Sequence, residues 1–181
     1  MAVADQALRI LKLSQEIVDV YRDHLESDSL TGVVADFSDD FVYLSLLSEN
    51  GTANGIAIVY RSDINRLRWG GNPRQAIGHL VEAAGTKLTR PAISLDSLEA
   101  VLRDVSSVFG YVNVLTERVD NSQTYIGEIS ELDSETLILD TYGTFISRDR
   151  SKLLLNCADI TRIDADAPYE RSVRFLAKQE S

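Results

Sequence analysis

The chain states one apolar pattern twice, about 95 residues apart, and that repetition constrains its fold more than any other feature. Leu30, Gly32, Val34, Phe37, Asp40 and Leu44 are echoed without a gap by Tyr125, Gly127, Ile129, Leu132, Glu135 and Leu139. Each copy closes on a related phrase, Asp63-Ile64-Asn65-Arg66 in the first and Asp159-Ile160-Thr161-Arg162 in the second. A pattern that recurs at long period is one supersecondary unit used again. The 181 residues are therefore expected to form two domains, residues 1–90 and 91–181. Each half is long enough for a modest core and no more.

Periodicity gives the elements. Ala7, Leu8, Leu11, Ile17, Val18, Tyr21 and Leu25 return at spacings of three and four, which predicts a helix over 5–26 with His24 in its last turn. From Leu30 the period becomes two, with strands around Val34, over Val42–Leu46, over Gly55–Tyr60 and over Asp63–Trp69. Asn50-Gly51 marks a turn. Gly70-Gly71 breaks the chain before a short helix over 73–84, with Asn72 as N-cap, Pro73 as the first helical residue, and Ala76, Ile77, Leu80 and Ala84 on its inner face. The second half repeats the scheme. A helix over 95–109 capped by Ser94 or Asp96 ends at Gly110, and strands follow over 111–119, 124–131, 136–142, 145–148, 152–157 and 159–164. Pro168 opens a last helix. Short strands in series favour closure, because closing a sheet removes its edges. The expected fold is α+β, with two small closed barrels in tandem, each flanked by helices.

The helix, the bent strand with an internal glycine and the following apolar strand resemble the Sm-like family of small SH3-like β-barrels. Leu30, Gly32, Val34, Phe37 and Phe41 match the apolar and glycine places of that family's first motif. Where the family carries its RNA-contacting Asp and Asn, this chain has Ser38 and Val42 in the first copy and Asp133 and Leu137 in the second. The Arg-Gly pair of the family's second motif is absent, and the two Asp-Ile-x-Arg phrases stand there instead. The resemblance, which extends to tandem units in bacterial proteins, implies the barrel and not the RNA pocket.

Charge narrows the partners. With 18 Lys and Arg against 28 Asp and Glu, the net charge is −10, and residues 96–181 carry 9 basic and 16 acidic side chains. A nucleic-acid binder gains affinity by neutralising phosphates with Lys and Arg, and no long basic run is present. Arg61, Arg66, Arg68 and Trp69 do gather the ingredients for stacking on a base, with Arg162 at the matching place of the second copy. The same set also describes a polar rim around a tryptophan.

The remaining chemistry is sparse. Cys157 is the only cysteine, so no internal disulfide forms, and its apolar setting reads as a buried strand residue. His24 and His79 lack ligand partners at metal-binding spacing, and no cofactor motif appears. Asp36, Asp39 and Asp40, with Glu131, Asp133 and Glu135 as counterparts, read as solvated hairpin tips. Asp63 and Asp159 read as caps of a short turn ahead of a strand. The charge-broken stretch Leu8–Leu13 is no secretory signal, and no segment reaches membrane-spanning length, so a cytoplasmic location without membrane contact is expected.

These observations point to a non-enzymatic module that binds another protein or itself, without a cofactor. Nucleic-acid binding through Arg61, Arg66, Arg68 and Trp69 is the alternative, and a homo-oligomeric scaffold pairing through strand edges is a third.

Overall fold

The structure is a computed structural model that describes residues 3–88, 90–148 and 150–179. The chain divides into two compact units, Met1–Arg90 and Pro91–Ser181. The first unit runs α1 (Val3–Ser14), β1 (Val18–Tyr21), β2 (Leu30–Phe37), β3 (Phe41–Leu47), β4 (Ala53–Tyr60), a 3-10 turn (Arg61–Asp63), β5 (Arg66–Trp69) and α2 (Asn72–Ala84). The second runs α3 (Leu98–Phe109), β6 (Val112–Leu115), β7 (Thr124–Leu132), β8 (Thr136–Thr141), β9 (Lys152–Asn156), a 3-10 turn (Cys157–Asp159), β10 (Arg162–Ala165) and α4 (Pro168–Gln179).

Strand order within the first unit is β5-β1-β2-β3-β4, and within the second β10-β6-β7-β8-β9, with antiparallel neighbours throughout. Neither run returns on itself: β4 does not pair with β5, nor β9 with β10. The class is α+β, but the strands form open antiparallel sheet, which overturns the expected pair of closed barrels. The reason is that short strands and polar turns look alike in open and closed sheets. Closure depends on strand tilt and stagger, which no local pattern encodes. Edges are handled differently here, by a very short edge strand carrying charge, Arg66 and Arg68 on β5.

Gly32 and Gly127 hold the same place in the two ladders. Gly32 of β2 lies between Val18 and Leu46, and Gly127 of β7 between Val112 and Thr141. Both strands then bulge at matching points, between Val34 and Asp36 and between Ile129 and Glu131. A Cβ at either glycine would strike a backbone carbonyl of the next strand, that of Ser45 or of Asp140.

Several local expectations change. The helix predicted over 5–26 stops at Ser14, and residues 18–21 form strand β1. Gln15 takes a left-handed φ of 57°, and its Nε2 donates to the Val34 carbonyl at 3.2 Å, which turns the chain out of the helix. Ile17, Val18, Tyr21 and Leu25 have helical spacing, yet Val18 and Val20 are buried in an extended strand. Gly110, with φ 75°, makes the same exit after α3. Helix α2 starts at Asn72 with Gly71 as N-cap, and α3 is capped by Ser97, whose Oγ accepts from Ala100 N at 3.1 Å. In α2 the buried residue is Arg74, whereas Ala76, Leu80 and Ala84 are exposed. The strand predicted over 145–148 is a turn, in which Thr144 Oγ1 accepts from Ile146 N and Ser147 N at 3.3 and 3.1 Å.

The core of the first unit joins Leu8 and Leu11 of α1 to Val18, Val20, Val34, Val42, Leu44 and Val59. In the second unit Val101, Leu102 and Val105 of α3 and Val112, Val114, Leu137, Leu139 and Ile163 of the strands are buried. Each such side chain contributes about 1.5–3 kcal/mol by leaving water.

Candidate functional site

The polar residues singled out in the sequence divide between structural duty and one surface. Asp63 and Asp159 each end the 3-10 turn ahead of the closing strand. The amide of the following isoleucine donates back to Arg61 O or Cys157 O, at 3.2 Å in both units. One residue on, Asn65 N donates to Tyr21 O at 3.1 Å and Thr161 N to Leu115 O at 2.9 Å, locking the turn to the first strand of each unit. The repeated phrase is thus a turn that launches the last strand. Asp63 is buried and its Oδ1 lies 3.6 Å from Nε2 of His24, which sits in a turn after β1 and not in a helix. Cys157 is buried in the second 3-10 turn rather than in a strand.

Arg61, Arg66 and Trp69 come together in the first unit, around a groove of about 360 Å³ between the start of α1 and β5. Ala4, Ala7, Leu8, Ile64, Leu67 and Trp69 give it apolar walls, and Arg61, Asn65 and Arg66 stand at its polar rim. Trp69 remains 45% exposed. A concave, mostly apolar surface with a few polar groups is what a recognition site requires. The strand that forms one wall is itself an edge, since β5 pairs with β1 and, among the described residues, takes no strand on its other side.

The rim charges are largely matched. Arg66 grips Asp23 with two hydrogen bonds of 2.8 Å and lies over the Tyr21 ring at 4.0 Å. Those bonds from Arg66, with a further one from Asn65, hold the Asp23 carboxyl below its usual range. Arg61 pairs with Asp5 of α1. Arg68, exposed on β5, does not line this groove. Arg162 belongs to the second unit, where Asp164 engages its guanidinium at 2.7 Å.

A second pocket, of about 390 Å³, lies in the second unit, lined by Glu128, Asp140, Tyr142, Arg150, Lys152 and Lys178 among others. Its polar groups also pair: Tyr142 donates to Glu128 at 2.6 Å and Lys152 to Asp140 at 2.8 Å. Two of the carboxylates read as hairpin tips have distinct duties, Asp133 in its turn and Asp36 of β2 against α1. Asp133 Oδ1 accepts from Glu135 N at 2.8 Å and Thr136 N at 2.7 Å, and Asp36 pairs with Lys12 at 2.6 Å. Among the described residues no cluster of His, Cys, Asp and Glu could hold a metal ion, and no helix is long and apolar enough to cross a membrane.

Sequence reasoning missed Tyr21 and Asp23, because both fell inside the predicted helix. It also missed the buried pairs Asp19–Arg74 and Asn113–Glu170, which join residues far apart in the chain. No family model, curated protein or solved structure matches this chain.

Proposed function

We propose that the chain is a non-enzymatic interaction module whose first unit takes an extended segment of a partner protein along β5. The observation that carries this reading is the coincidence of an open strand edge with an apolar groove holding a half-exposed tryptophan. An edge strand offers unpaired backbone groups for strand addition, and a neighbouring pocket supplies side-chain specificity. Tryptophan and arginine are the residues that most often dominate such contacts. Arg66 and Arg68 discourage indiscriminate pairing of the edge, and because Asp23 already holds Arg66 the favoured partner strand carries a carboxylate opposite Arg68. Nucleic acid is the weaker reading, because Arg61 and Arg66 already face Asp5 and Asp23.

The test is capture from native lysate on the intact chain, in parallel with Trp69→Ala and Leu67→Pro, before and after nuclease treatment. The expected result is a discrete protein whose capture survives nuclease and is lost with both variants. Capture abolished by nuclease, or unchanged by both substitutions, overturns the proposal.

A further inference from the structure

In each unit the helix after the last strand is pinned to the first strand, but the two joints use different chemistry. Arg74, third residue of α2, forms a buried ion pair with Asp19 of β1. Glu170, third residue of α4, accepts a hydrogen bond from Asn113 of β6 at 2.7 Å. The registers equate the positions: Asp19 lies opposite Arg68 of β5, and Asn113 opposite Asp164 of β10.

Glu170 is buried, with 3% of the residue exposed. Besides Asn113 it receives Ala167 N at 3.0 Å and the Tyr111 hydroxyl at 3.2 Å, all neutral donors. From β10 a second buried carboxylate, Asp164, acts on it, and Arg162 of that strand is engaged with Asp164 at 2.7 Å. Tyr111 in turn accepts from Asp166 N at 2.8 Å and lies under the Arg174 guanidinium of α4 at 5.6 Å. Beyond it Tyr142 meets the Tyr111 ring at 6.4 Å and carries Glu128 on its hydroxyl. Burial, and then Asp164, push the Glu170 carboxyl up to about 7, against the pull of its three donors. The Tyr111 oxygen is able to receive the carboxyl proton, so the protonated acid keeps this contact with donor and acceptor exchanged.

We propose that the α4–β6 joint is a pH-sensitive clasp, closed firmly while Glu170 carries a proton and loosened as it ionises. The α2–β1 joint, held by an ion pair, is its internal control. The sign follows from linkage. A native carboxyl raised above the ordinary value of 4.5 stabilises the docked helix fully below that pH, and the contribution disappears as pH rises through about 7. Loosening α4 uncovers Val173 and Ala177, the apolar residues that it buries.

The test is hydrogen exchange of the intact chain between pH 6 and 8, expressed as protection factors so that intrinsic exchange is removed. One proton of this kind changes the docking equilibrium about tenfold over that interval, so α4 protection should fall about tenfold while α2 protection holds. Glu170→Gln should make α4 protection independent of pH. Should that variant not fold, Asp164→Asn replaces it, and the midpoint of the α4 transition should move to lower pH. Equal loss in α2 and α4, a Glu170→Gln profile that follows the parent chain, or an unmoved midpoint in Asp164→Asn each overturns the proposal.

Discussion

An alanine methyl at Gly32 or Gly127 meets a carbonyl oxygen of the adjacent strand, an obstacle that has no rotamer to escape through. Gly32→Ala and Gly127→Ala are each expected to cost about 2–3 kcal/mol, read from urea unfolding of the full chain. A cost near zero for either would mean that the ladder is looser there. The matched glycines are plain in the sequence, whereas Ser45 and Asp140 become their neighbours only through strand register. Cys157 supplies a second test. Burial first, and then Asp133, raise its thiol above the usual range, so little thiolate is present at neutral pH. Because the thiolate is the reacting species, Cys157 should react with an aromatic disulfide reagent at least about tenfold faster in denaturant than in the native chain.

At the scale of elements the two helix joints are alternatives for one position, and this makes them exchangeable. Removing one partner of a buried ion pair costs about 3–5 kcal/mol, since the other charge is left uncompensated. Asp19→Asn and Arg74→Glu should each approach that loss in the first unit. Combined, they recreate the Asn–Glu pairing of the second unit, and a double-mutant cycle should recover at least half of the loss. Additive losses would show that the two joints are not equivalent. None of this is legible along the chain. The predicted helix over 5–26 hides Asp19 within a helical surface, and the true strand appears only because Gln15 ends α1 and bonds to Val34. Trp69, by contrast, is recognisable from sequence as a tryptophan among arginines, but its groove exists only because α1 packs beside β5.

For the molecule as a whole, the division at Arg90 and Pro91 leaves each unit its own helices, strands and apolar interior. Produced separately, residues 1–90 and 91–181 should each give a β-rich circular dichroism spectrum and a cooperative melt. A fragment lacking either would show that its interior is insufficient alone. The paired glycines and the turn that launches each last strand were written in the chain, because repeated apolar spacing and turn residues act locally, whereas β1 lay hidden in a helical spacing. Whether five strands close or stay open, which arginines remain available and which carboxyl is buried without a cation were settled by tertiary structure. Those outcomes depend on register and packing between residues distant in sequence, and no local pattern carries that information.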